Sequence, residues 1–134
     1  MAAAIVNAND DNNVTNIKIN VVDMLDLTFN WALICNQYGE ATGDHPKKEA
    51  ACSDLGRLQV PLDEAIETAQ PTVPCLRIYR SVKLSVNGIV NSEEAEVVHE
   101  FGNLCMAKGI LTAAGVPNLI PVSEDGLSYD VGDN

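Results

Sequence analysis

The sequence predicts an α+β fold: a mainly helical single domain with one long amphipathic strand at about residues 75–86 and a long C-terminal helix at about 92–114. Three observations carry this reading. At 134 residues the chain has the size of one domain, and two halves would each be too small for a good core. Leu76, Ile78, Val82, Leu84 and Val86 share one parity, and Arg77, Tyr79, Ser81, Lys83 and Ser85 share the other. That pattern gives a strand one core face and one solvent face, with Arg80 as the interruption. Finally, Asn91 with Glu94 three residues on has the form of a capping box, and Gly115 and Pro117 supply stop signals.

The remaining elements follow in chain order. Residues 1–13, rich in Asn and Asp, read as a flexible arm, and 14–122 as the globular domain. Ile17, Ile19 and Val21 alternate with Lys18 and Asn20, as in a strand. Across 21–38 two periods compete. Leu25, Leu27, Phe29, Trp31 and Leu33 fall on every second residue, whereas Val21, Leu25, Thr28, Ala32 and Cys35 give a helical face. The length of the stretch favours helix over a typical strand. Asp44 and Pro46 open a short helix that ends near Leu55 and Gly56, and Pro61 opens another over 62–70. Asn87-Gly88 is a hairpin turn signal. Residues 123–134 read as an acidic flexible tail.

The formal net charge is −11. Such a field repels nucleic acid, whose binding depends on Lys and Arg displacing counterions, so direct nucleic-acid binding is not expected. Six of the eight basic residues lie between 47 and 83, so a basic middle is flanked by acidic ends, and a basic protein partner is one candidate. Cys35, Cys52, Cys75 and Cys105 are separated by 16, 22 and 29 residues, without the close pair that opens a structural zinc site. An even count permits two disulfides in an oxidising compartment. The N-terminus lacks the basic start and apolar stretch of a secretion signal. Free, buried thiols in a cytoplasmic or other reducing compartment are therefore the expectation, and the Asn13-Val14-Thr15 sequon is read as chance. No run is long enough to span a bilayer.

Residues that could carry chemistry are few. Glu96 and His99 match the Glu-x-x-His spacing of helical di-metal sites and would cluster with Glu100 and Asn103 on one helical face. That face is opposite Val97, Val98, Phe101, Leu104 and Cys105, so a solvated acidic face is the simpler reading. No Gly-x-Ser-x-Gly elbow or phosphate loop occurs. No catalytic, cofactor or metal residue is expected.

What remains is surface. Arg77, Tyr79, Arg80 and Lys83 gather cations beside an aromatic on the exposed side of the strand. Ala95, Gly102 and Gly109 recur every seven residues, and such a seam lets another helix approach closely. The expected function is a non-enzymatic assembly protein that forms a homo-oligomer through these residues. The alternatives are an acidic mimic of nucleic acid, using Glu93, Glu94, Glu96 and Glu100, and a metal-binding protein or enzyme using Glu96 and His99.

Overall fold

A computed structural model describes residues 14–71, 74–124, 126 and 128–131; the expected arm at 1–13, the sequon's Asn13 and the end of the chain lie outside them. The elements run β1 (Thr15–Asp23), β2 (Leu27–Cys35), β3 (Ala41–Gly43), α1 (Lys48–Gly56), α2 (Leu62–Thr68), β4 (Val82–Val90), β5 (Glu93–Phe101) and α3 (Leu104–Ala114). The strands form one antiparallel sheet in the order β3-β2-β1-β4-β5. The fold is therefore a five-stranded sheet carrying three short helices, and the expectation of a mainly helical domain is corrected.

The correction has two local causes. Over 21–38 the period of two wins over the helical face. The chain turns at residues 24–26, where Asp26 takes φ 70°, and β2 returns along β1 with Val21 opposite Phe29 and Ile19 opposite Trp31. The expected long helix is half strand. Residues Glu93–Phe101 pair with β4, and only Leu104–Ala114 is helical, capped by the Asn103 side chain, which accepts from Met106 N–H. The hairpin turn is not Asn87-Gly88, through which β4 runs straight. It is Asn91-Ser92, both at positive φ (51° and 69°), the backbone pair that matches the twist of a two-residue hairpin. Gly88 serves another purpose: at φ +138° it lies against the backbone carbonyl of Asn16, where a Cβ has no room.

Odd residues of β1 and β2 and even residues of β4 fill one face of the sheet. Ile17, Ile19, Val21, Trp31, Leu33, Val82, Leu84 and Val86 are buried there, as period-2 alternation requires. The helices cover this face with Leu55, Leu62, Ile66, Ala107 and Leu111, and Val116, Leu119 and Ile120 complete the core. Two disulfides fix the layers: Cys35–Cys52 ties β2 to α1, and Cys75–Cys105 ties the segment before β4 to the first turn of α3. All four cysteines are paired, which corrects the expectation of free thiols.

The buried polar side chains Thr15, Asp23, His45 and Asp54 each find a partner, whereas Asn91 Oδ1 is buried without one. Thr15 Oγ1 accepts from Asn91 N–H, and Asp54 accepts from Arg57 and from both the backbone and side chain of Asn118. Buried His45 accepts from Lys47 N–H at Nδ1, so its proton sits on Nε2, which donates to Leu119 C=O at 2.9 Å.

Candidate functional site

Residues 74–81 form no regular element. Where the alternation predicts a strand from residue 75, the ladder begins only at Val82. The residues assigned to its core face instead face solvent: Leu76 is 74% exposed and Ile78 62%, with Tyr79 at 69% beside them. Pro71 and Pro74 precede this stretch and lack the N–H a ladder needs.

The exposed stretch is held without being buried. At its start, Cys75 is bonded to Cys105. In its middle, one side-chain amide does two jobs: Asn103 Nδ2 donates to Leu76 C=O at 3.1 Å and to Ile78 C=O at 2.9 Å. At its end, Arg80 N–H donates to Gly102 C=O at 2.9 Å. The Arg80 guanidinium donates through Nε to Asp23 Oδ1 at 3.1 Å. Met24 N–H donates to Ser81 C=O at 3.0 Å. A cavity of about 650 Å³, walled in part by Pro71, Pro74, Gly102 and Met106, lies alongside the loop. The loop is thus carried by tethers rather than by packing. Among the described residues nothing holds the side chains of Arg77 and Tyr79.

Asp23 anchors the far end. Its carboxylate accepts from Leu25 N–H at 2.9 Å, from Arg80 Nε and from Tyr129 Oη at 2.7 Å. Burial pushes this carboxyl up, but the hydrogen bonds from Leu25, Arg80 and Tyr129 outweigh it and hold the group below its ordinary value. Tyr129 is pushed well above the ordinary phenol value by burial and by the Asp23 carboxylate it bonds to.

Of the interface candidates, Arg77 and Tyr79 stand on the loop, Arg80 at its root and Lys83 on the exposed face of β4. Ala95, Gly102 and Gly109 do not form a seam, because Ala95 is in β5, Gly102 follows it and only Gly109 is helical. Gly109 instead faces Pro71, where an added Cβ would stand 3.4 Å from the Pro71 Cβ. Glu96 and His99 also separate. Three positions apart on a strand, they point to opposite faces, and His99 packs at 4.7 Å from the Phe101 ring on the core side. Glu93, Glu94, Glu96 and Glu100 all lie on β5, an edge strand of the sheet.

A family profile described as "Subtilisin inhibitor-like" matches residues 26–103, which include the whole loop and the amide that clamps it. The chain belongs to the subtilisin inhibitor-like family. A protein of this kind from Streptomyces orinoci, "Protease inhibitor SIL-V2", is 31% identical over 67 residues, which is 50% of this chain and 61% of that one. The match thus spans about three fifths of that relative's length. Among solved structures, Streptomyces caespitosus sermetstatin, crystallised in complex with Bacillus licheniformis subtilisin, superposes with a TM-score of 0.58. It is 22% identical and the match covers 77% of this chain and 96% of that one. At that identity the likeness is one of fold.

Family membership corrects three expectations together. The self-associating assembly protein gives way to a member of the subtilisin inhibitor-like family, and the homo-oligomeric partner is withdrawn with it, since the solved structure of like fold was crystallised with subtilisin. Membership and two disulfides fit an extracellular, oxidising setting in place of a reducing compartment.

The sequence reading missed Leu76, Ile78, Asn103 and Asp23 as parts of a site. One signal was available: two prolines, a cysteine and then an apolar–basic alternation broken by Arg80 describe a strand that cannot begin where its pattern begins.

Proposed function

We propose that this chain is a protein inhibitor of a serine protease, that it acts by being bound rather than by catalysis, and that Arg77–Ile78 is the peptide bond it presents. The observation that carries this reading is the Asn103 clamp. Carbonyls two residues apart share one side of an extended chain, so the bonds to Leu76 and Ile78 leave the Arg77 carbonyl facing the other way, toward solvent. Its side chain is likewise unclaimed. A protease needs that presentation: a carbonyl carbon open to its serine, an oxygen that reaches its oxyanion donors, and a side chain for its specificity pocket.

Rigidity turns such a segment from substrate into inhibitor. A loop already held in the bound shape loses little freedom on binding. The relatives support the reading, since one is named a protease inhibitor and another was crystallised with subtilisin. Arg77 adds a direction that those names do not. A guanidinium is best received by a pocket with a carboxylate at its base, so proteases that cut after basic residues are the preferred class.

The test is inhibition of a trypsin-type protease and of subtilisin by the wild-type chain and by Arg77→Ala. Wild type is expected to inhibit the trypsin-type enzyme tightly. Arg77→Ala should weaken that inhibition on the order of 10²–10³-fold, as loss of a buried, paired arginine at the centre of an interface does, without lowering the melting temperature. Equal inhibition by both chains would refute the assignment of Arg77.

A further inference from the structure

We infer that Asp23, Arg80 and Tyr129 form a positioning unit that holds residues 78–81 in place after the Arg77–Ile78 bond is opened, so that the bond is remade rather than hydrolysed. The inference rests on the reading of residues 76–79 as the segment offered to a protease.

The chemistry sets the requirement. The protease serine Oγ bonds to the Arg77 carbonyl carbon, the bond from that carbon to Ile78 N breaks, and the new amine leaves with a proton from the protease histidine. Two nucleophiles then compete for the resulting ester. If the Ile78 amine returns, the peptide bond and the serine hydroxyl are both restored. If water attacks, Arg77 ends as a carboxylate and the inhibitor is spent. A nucleophile held at the reacting carbon outcompetes bulk water through its high effective concentration. The outcome depends on how firmly the Ile78 side of the cut is kept.

On the Arg77 side the disulfide Cys75–Cys105 is a covalent hold. The Ile78 side has none so close. It is kept by Asn103 at Ile78 C=O, by backbone bonds at Arg80 and Ser81, and by the Arg80 guanidinium. Among the described residues the guanidinium is the only charged hold, and it ends on a carboxylate with no side-chain exposure. Tyr129 Oη occupies the other oxygen of that carboxylate, so Asp23 is oriented from both sides. Tyr129 comes from the far end of the chain. It is seated by its ring against Phe29 at 4.8 Å, and its neighbour Asp130 pairs with Lys47 at 2.9 Å. Three distant parts of the sequence thus converge on the root of the loop. The core does not require this: an aliphatic pair would fill the same space without a charge to bury.

The experiment incubates wild type, Asp23→Asn, Tyr129→Phe and Arg80→Lys with an equimolar trypsin-type protease and follows cleavage at Arg77–Ile78 by mass spectrometry, alongside inhibition constants and unfolding midpoints. Asp23→Asn and Tyr129→Phe should be cleaved about 10- to 100-fold faster than wild type, the ratio that loss of a charge-assisted hydrogen bond carries. Arg80→Lys, which keeps the charge, should fall between. Ile66→Ala, a core change away from the loop, serves as the stability control. If it speeds cleavage as much as Tyr129→Phe at a matched drop in midpoint, the effect is general loosening and the inference is overturned. It is overturned equally if all variants are cut at the wild-type rate. A wild-type chain that does not inhibit, or is cut elsewhere, refutes the underlying reading instead.

Discussion

Replacing Asn103 by aspartate separates two tasks that one side chain performs. Its Oδ1 accepts from Met106 N–H at 2.8 Å and caps α3, while its Nδ2 donates to the two loop carbonyls. Aspartate keeps the acceptor, and its charge at a helix N-terminus is favourable by about 0.3–1 kcal/mol. It has no donor for Leu76 and Ile78. Each of those bonds is partly exposed and so is worth about 0.5–1 kcal/mol, toward the low end for a hydrogen bond. Together they come to about 1–2 kcal/mol, which as loop preorganisation converts to about 5- to 30-fold weaker inhibition. Repulsion between the carboxylate and the two carbonyls adds to that figure. Asn103→Asp should therefore melt at or above the wild-type temperature while inhibiting a trypsin-type protease 5- to 30-fold less tightly. Asn103→Ala loses both functions, with a capping cost of about 1 kcal/mol and a fall of about 3–5 °C in melting temperature. An Asn103→Asp chain with wild-type inhibition constants would refute the clamp and the register of the loop that depends on it.

Two further predictions follow from the scaffold. Removing Cys75–Cys105, which spans 30 positions, should cost about 3–4 kcal/mol of stability and also weaken inhibition by the folded fraction. Removing Cys35–Cys52, which spans 17, should cost about 3 kcal/mol and leave inhibition by the folded fraction unchanged; denaturant melts paired with inhibition assays distinguish the two. Burial holds His45 below its ordinary value of 6.5, against the Leu119 carbonyl and the Asp44 charge, which raise it. Because the folded value is depressed, this contribution is fully present above 6.5 and is lost as pH falls toward the folded value. The slope is at most about 1.4 kcal/mol per pH unit. Melting temperature should fall with pH in that window for wild type and lack that component in His45→Leu.

The sheet was legible only in part. Val82, Leu84 and Val86 line the core as their parity requires, because a strand in the middle of a one-sided sheet has no other way to bury apolar side chains. The same parity failed at Leu76 and Ile78, where the alternation is real but the residues face solvent. Hydrophobic pattern reports which side chains prefer burial and not which of them a partner will bury. Residues 21–38 failed for a different reason: a turn at 24–26 splits the stretch, and length then ceases to argue for helix. Residues 92–101 carried a convincing cap signal in Asn91 and Glu94, yet Asn91 is the turn residue of a hairpin, and polar residues that cap helices also make turns. The pairing of the cysteines could not be read from spacings of 16, 22 and 29 residues, since four cysteines allow three connectivities. Arg77 and Tyr79 were singled out from the sequence as contact residues; the amide beneath them and the carboxylate behind them were not, because their roles exist only once the chain is folded.

Among the described residues, nothing makes use of the side chain displayed at position 77. A codon there can change without consulting the core, the tethers or the disulfides, and the folding constraint on the rest of the gene is unaffected. On the proposed reading, a duplicated copy acquires a new target protease through one substitution, while the Asn103 clamp and the two disulfides are inherited intact.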